Sequence, residues 1–363
     1  MRSKPIIKVL GRGVLHAKDF NILSRQLPKQ RPADWPDFVY DPEARIYDWL
    51  AVYDNLPPVD GERNSMRVER LACPPENTIL VTSEPSSIKR YDRAFINQFG
   101  RVITSHEPAA LDHPGRVFGV PGLRWFYGMG GGHARTYDEI VANPPRNKSD
   151  EVGMMSSTKQ DKHTAHLDRY RFTMALARLM PEANVFGRGL RGIADKADAI
   201  DPYKYQIVIE NHIADAHVSE KLTDAFLGLA LPFYFGAPDI AKYFPADSVI
   251  SIDIRNPEHA VAIIRSAVAA GEYEKRLPAI EEARRRVLDE YNVMTMLVRE
   301  TQRGIITPPP RPSGVLMSQR AARRAHPLQS AGDFGQWFLR RVVDLHQRSA
   351  ERRRASSTME QSP

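Results

Sequence analysis

The chain is poor in cysteine, with one residue, Cys73, in 363. A single thiol excludes an intramolecular disulfide framework and fits a reducing compartment. Long apolar runs are missing too. No window approaches the ~18 uninterrupted apolar residues of a membrane span, so none is expected. The opening stretch MRSKPIIKVLGRGVLHAKDF has no apolar segment ahead of a small-residue cleavage site, so no secretory signal is expected. No Asp-x-Asp occurs, and an obligatory metal–diphosphate bridge is not indicated. Gly128-Met-Gly-Gly-Gly132-His133 puts histidine where G-x-G-x-x-G ends, and no Lys-Ser/Thr pair closes it as a phosphate loop. His163 and His166, like His212 and His217, lack the spacing and partners of zinc ligands. Repeats of solenoid period are absent.

What is present is globular: hydrophobic residues make up 42% of the chain and charged residues 26%, enough apolar material for real cores. The length suits two domains of ~100–200 residues each. The formal net charge is +7, which invites a nucleic-acid or membrane-surface partner. Its distribution narrows that reading. Residues 311–363 hold ten arginines and four acids, leaving +6 there and only +1 on the first 310 residues.

Short apolar runs at Pro5–Leu10, Trp49–Tyr53, Thr78–Thr82 and Val102–Ser105 read as strands, with Ser87–Phe99 as an intervening helix. They predict an α/β domain over 1–150, closed by a polar hinge at 140–151. Beyond it, strands are expected at Val152–Ser156, Ala183–Phe186, Tyr205–Ile209, Leu231–Phe235 and Val249–Ile252. Helices are expected at His166–Met180, Glu220–Leu229 and through 257–302. The alternation predicts a second domain, 151–306, built on a parallel doubly wound sheet. Thr307–Pro312 is a stiff proline-rich linker, and 307–363 reads as a basic tail with an amphipathic helix at Phe334–Arg348.

The richest stretch runs from Tyr205 to Phe226. A buried strand ends in Glu210 and Asn211, a loop follows, and Ser219 caps a helix whose first turn holds Glu220 and Lys221. Glu220 suits the positive end of the helix dipole, whereas Lys221 opposes it unless an anion sits there. A helix start at the carboxyl edge of a parallel sheet is a phosphate site; a solvated surface lysine is the plain alternative. Cys73 lies in a proline-flanked loop with no partner for nucleophilic work.

Ile209-Glu-Asn211, Val218-Ser-Glu-Lys221 and Pro232-Phe-Tyr-Phe-Gly236-Ala-Pro238, in this order, resemble the donor-binding segment of the alpha-1,3-fucosyltransferase family (glycosyltransferase family ten), bacterial type. The resemblance extends to Lys162–Phe172, Val185–Gly189, Leu80–Pro85 and Trp49–Asp54, covering roughly 45–300. It implies a GT-B fold, two facing Rossmann-like domains with a cleft between them. The first would present the acceptor and the second would bind GDP-fucose. In an inverting displacement Glu84 would be the general base, while Arg169 and Lys221 stabilise the GDP leaving group. Asn211, His217, Val218 and Glu220 complete the implied donor set. Glu210, Gly187, Trp125 and Tyr127 are further candidate donor or acceptor contacts, with plain core packing the alternative for the aromatics. Where the family has tyrosine, this chain has His217, which is smaller and titrates near neutrality. That leaves open a different nucleotide-sugar donor on the same fold.

No cofactor and no metal are expected. The expected partners are GDP-fucose and a GlcNAc-containing glycan acceptor such as a lipid-linked lipopolysaccharide precursor. The 311–363 tail would meet an anionic membrane at the inner face of the cytoplasmic membrane, or instead pack on the enzyme or a second subunit. A nucleic-acid-binding protein is the remaining alternative. It rests on the arginine-rich tail alone, which lacks a recognisable binding module.

Overall fold

Two parallel sheets organise the computed structural model, which describes residues 4–11, 15–17, 20–59, 61–156, 165–187, 189–304, 314–339 and 342. The first sheet runs in the order Asp37–Val39, Ile6–Gly11, Trp49–Tyr53, Thr78–Val81, Arg101–Thr104, Arg116–Phe118. Every pairing is parallel. Its inner strands are buried along their whole length, as a sheet covered on both faces requires. The second sheet runs Asn184–Phe186, Ser149–Met155, Tyr203–Ile209, Leu231–Phe235, Ile250–Ser251, again all parallel. This is the GT-B pattern of two Rossmann-like sheets.

Both sheets share one topological device. The second of these strands in chain order lies on one side of the first, and the third lies on the other. The order therefore reverses between the first and third strands, and ligands of open α/β sheets bind beyond the carboxyl ends at that point. The third strands are Trp49–Tyr53 and Tyr203–Ile209, so Asp54 and Glu210 are the residues that step off them.

Several local expectations shift. Within Ser87–Phe99 only Arg93–Ile96 is helical. The amides of Ile88 and Lys89 bond the Pro85 carbonyl in a turn, and Lys89 and Tyr91 reach for Asp54. The hinge at 140–151 shrinks, because Tyr137–Ala142 is a helix with a Thr136–Glu139 capping box and the next strand already starts at Ser149. The 257–302 stretch divides into Pro257–Ala269, Glu272–Asp289 and Val293–Gln302. The last of these crosses back, burying Val293, Met294, Met296 and Leu297 against Ile7, Val9, Trp49 and Ile79 of the first sheet. Conversely, Val120, Trp125, Tyr127 and Ile140 join the core beneath the second.

The basic tail divides as well. The linker at 307–312 and all of 343–363 lie outside the described residues. The stretch 314–339 packs on the first domain. Val315–Met317 pairs antiparallel with Val68–Arg70, and Leu316, Ser318 and Ala322 are fully buried. A helix occupies 327–339, starting on Pro327, which is preorganised for a first helical position. Asp333 on it accepts from the Arg93 amide and Nε at 2.8 and 2.7 Å. The helix read at Phe334–Arg348 thus begins seven residues earlier. Among the described residues no helix is long and apolar enough to cross a membrane.

Candidate functional site

At the second sheet's switch point, Glu210 is 0% exposed. It accepts from the Ser219 amide at 2.9 Å and from the Ser219 hydroxyl, so it anchors the start of helix Glu220–Leu227 and has no surface for a ligand. Asn211 turns the other way, its Oδ1 accepting from Arg169 Nη1 at 2.6 Å. Two residues 42 positions apart and both expected at the donor thus meet at the mouth of the sheet. Lys162, His163 and Thr164, upstream of Arg169, lie outside the described residues.

Ser219 caps the helix by accepting from the Lys221 amide. Lys221 Nζ donates to Ser219 Oγ at 2.9 Å and lies 3.5 Å from Glu210 and 3.6 Å from Glu220. These carboxylates answer the conflict between a lysine and the helix dipole. Burial works against the Lys221 charge, but Glu220 and Glu210 outweigh it and raise its pKa. Burial likewise opposes the Glu220 carboxylate, and Lys221 with Lys196 outweighs it and holds the group at about 2. Both are therefore ionised at neutral pH. Lys196 gives no signal in the sequence, sitting in a loop far from the motif. It pairs with Asp224 at 2.7 Å and reaches Glu220 at 4.0 Å.

His217 corrects an expectation. It is buried edge-on to His212, ring centres 5.1 Å apart. Burial first, then Lys221 and His106, push its pKa down to about 3. It is a neutral ring at physiological pH and does not titrate near neutrality. Three other candidates are placed by packing. Val218 is 1% exposed and its side chain belongs to the core. Gly187 has φ +137° and sits so close to Ser156 that a Cβ would lie 1.8 Å from that carbonyl oxygen, so it serves backbone packing. Trp125 and Tyr127 are each 1% exposed. Arg25 donates to both their carbonyls, and the Tyr127 hydroxyl donates to Asp201 at 2.8 Å. They are core residues, not stacking platforms. Their alternation turns Arg124 and Phe126 outward, a signal legible in Arg-Trp-Phe-Tyr but assigned to the wrong pair. The Arg124 guanidinium lies 4.7 Å over the Phe126 ring.

Glu84 stands three residues beyond strand Thr78–Val81, exposed at the carboxyl edge of the first sheet. It lines a pocket of about 270 Å³ together with Tyr53, Asp54, Ser83, Arg124, Phe126 and Glu220. The residue expected as base in the first domain and the carboxylate expected at the donor in the second therefore face one cavity. Partial burial, Asp54 and Glu220 raise the Glu84 pKa, with Lys221 and Lys89 opposing. Asp54, at φ +68°, stands in the sequence only as the last residue of the Trp49–Asp54 segment, with no role read for it. Cys73 is buried, and burial pushes its thiol up to about 12, leaving it protonated and inert. Among the described residues no group of three or more His, Cys, Asp and Glu is disposed to hold a metal.

Over 74 residues the chain is 30% identical to an alpha-(1,3)-fucosyltransferase, FucT, of Helicobacter pylori. The match takes in 20% of this chain and 16% of that protein, so the chain spans about a sixth of that relative's length. It bears out the resemblance read from the motifs. No family model matches the chain. Among solved structures, an alpha1,3-fucosyltransferase with GDP-fucose aligns at TM-score 0.44 and 15% identity, covering 80% of this chain and 92% of that one. An alpha-glucosyltransferase in complex with UDP and a 13-mer DNA aligns at TM-score 0.45 and 7% identity, covering 83% and 99%.

Proposed function

We propose that the chain is an inverting fucosyltransferase that moves fucose from GDP-fucose to a hydroxyl of a GlcNAc-containing glycan, in the alpha-1,3 manner. The observation that carries this reading is the shared pocket, which Glu84 enters from one parallel sheet and Glu220 from the other. Glu84 takes the proton of the acceptor hydroxyl as its oxygen bonds to the anomeric carbon. The bond from that carbon to the diphosphate oxygen breaks, and GDP departs with the electron pair. A carboxylate with a raised pKa suits that proton transfer near neutral pH. Arg169 and Lys221 meet the charge growing on the diphosphate, worth most in a water-poor site. Asn211 and Glu220 hold donor hydroxyls, and no metal is assigned a role.

A different nucleotide-sugar donor is the second reading, favoured by the neutral His217 ring, packed edge-on to His212, where the family has tyrosine. The acceptor is placed on a lipid carrier such as a lipopolysaccharide precursor. Helix 327–339 exposes Leu328, Phe334, Phe338 and Leu339 and follows the helix that carries Arg320, Arg323 and Arg324, an arrangement suited to anionic lipid at the cytoplasmic side.

Calorimetric titration with GDP-fucose, GDP-mannose and UDP-sugars tests the donor. Heat with GDP-fucose alone supports the first reading, heat only with another sugar nucleotide supports the second, and no heat with any GDP-sugar overturns the first. For the membrane, sedimentation with phosphatidylglycerol vesicles is expected to drop at least fivefold in the double variant Phe334→Asp/Phe338→Asp. Unchanged sedimentation overturns the tether.

A further inference from the structure

Asp54 holds the place in the first domain that Glu210 holds in the second, directly after the third strand and at the switch point of its sheet. The two carboxylates are used differently. Glu210 spends both oxygens on Ser219 and, through one of them, reaches Lys221. Asp54 receives three donors, Ser83 Oγ at 2.8 Å, Lys89 Nζ at 2.6 Å and Tyr91 Oη at 2.6 Å. All three converge on the same oxygen, Oδ1. Among the described residues, Oδ2 accepts no hydrogen bond. The side chain is 16% exposed, and the residue lines the same pocket as Glu84 and Glu220.

The backbone there is also costly. At φ +68° a residue with a side chain sits in the left-handed region, where Asp and Asn are the least penalised. Its amide is tied to the Val81 carbonyl at 2.8 Å, which fixes the residue against the strand that leads to Glu84. The adjoining Asn55 is braced in turn by the Gln319 amide at 3.0 Å. A carboxylate clamped through one oxygen, with the other left without a hydrogen bond among the described residues and the residue lining a cavity, is a rigid acceptor for a ligand hydroxyl.

We propose that Asp54 is the acceptor-binding carboxylate, its Oδ2 taking a hydrogen bond from a sugar hydroxyl adjacent to the reacting one and so presenting the latter to Glu84. The assignment rests on the glycosyl-transfer reading of the pocket. It gives the first domain a sugar-recognition element, supplied by Asp54 together with the Arg124–Phe126 wall. Two hydroxyls of one pyranose, one on Asp54 and one on Glu84, register the ring, as positioning of a nucleophile requires. Asp54 remains an anion beside Lys89, which with the hydrogen bonds from Lys89, Tyr91 and Ser83 overcomes the effect of burial and lowers its pKa. A charged acceptor makes the stronger hydrogen bond.

The test is steady-state transfer from GDP-fucose to N-acetyllactosamine, measured alongside hydrolysis of GDP-fucose to free fucose. Asp54→Asn tolerates the backbone and keeps an oxygen for the Ser83–Lys89–Tyr91 clamp. It is expected to raise the acceptor KM at least tenfold, hold the donor KM within twofold, and lower the ratio of transfer to hydrolysis at least tenfold. Tyr91→Phe, which removes one clamp donor and leaves the carboxylate, is expected to give a smaller rise in the same constant. An acceptor KM within twofold of the parent in both variants, with the parent transferring fucose, overturns the Asp54 assignment and leaves the donor reading standing. Equal rises in both KM values also overturn it, since they mark a structural role. A parent that neither binds nor hydrolyses GDP-fucose overturns the donor reading and this assignment with it.

Discussion

The two domains share a sheet topology and differ in how their sites are assembled. In the second, Glu210, Asn211, His217, Glu220 and Lys221 fall within twelve consecutive residues, one strand end and the helix start that follows, with Arg169 and Lys196 joining from outside that run. In the first, the pocket gathers Asp54, Glu84 and Arg124 with Phe126 from three separate loops, and Lys89 and Tyr91 bond Asp54. Binding a nucleotide at a strand–turn–helix junction is a local task, because the helix start itself supplies amides and field. A pocket lined by side chains from several strand ends has no such local start. The difference explains why the second domain carries a compact motif in its sequence while the first does not.

The contrast makes predictions about which half each residue serves. Glu84→Gln is expected to cut transfer by ~10²–10⁴-fold while GDP-fucose affinity, read by calorimetry, stays within threefold. A matching loss of affinity would merge the two halves. Lys221→Ala is expected to lower kcat by about 10²–10³-fold and to weaken GDP binding, with the acceptor KM unmoved. It leaves Glu210 and Glu220 without their shared cation, so a lower melting temperature should accompany it.

Two smaller effects follow from the titrating groups. The Glu84 pKa is raised by burial and by Asp54 and Glu220, and a base must be unprotonated. The acid limb of kcat is therefore expected above the ordinary glutamate value of 4.5, and Asp54→Asn should move it to lower pH. His217 supplies the smallest. Its folded pKa of about 3 lies below the usual 6.5, so as pH falls the unfolded chain takes the proton first. Its contribution to stability is full above pH 6.5 and is lost progressively toward 3, at about 1.4 kcal/mol per pH unit. His217→Gln should therefore flatten the decline in melting temperature between pH 7 and 5.5. An unchanged slope would show that this ring is not the acid-sensitive group.

Much of the architecture was legible. The inner strands of both sheets announce themselves as short apolar runs, because a strand covered on both faces has no polar side to disguise it. Helix Glu220–Leu227 and its Ser219 cap were equally plain, since caps and periodicity are local chemistry. Residues 87–92 read as the start of a helix because the side chains that hold this turn, Lys89 and Tyr91, have their partner at Asp54, more than thirty residues upstream. Trp125 and Tyr127 were candidate sugar platforms by composition, and only packing shows Arg25 holding their carbonyls in the core. The tail was read either as a membrane tether or as a segment packed on the enzyme, and Leu316 and Ala322 fill the first domain.

The unevenness of the net charge, the two parallel sheets and the donor motif were all written in contiguous residues. They depend on backbone periodicity, capping and charge, which act over a few positions. Which carboxylates share a cavity, which histidine is neutral, and which arginines belong to the fold were decided by the tertiary structure. Those properties come from desolvation and from partners distant in sequence, and neither exists until the two sheets have closed on their cores.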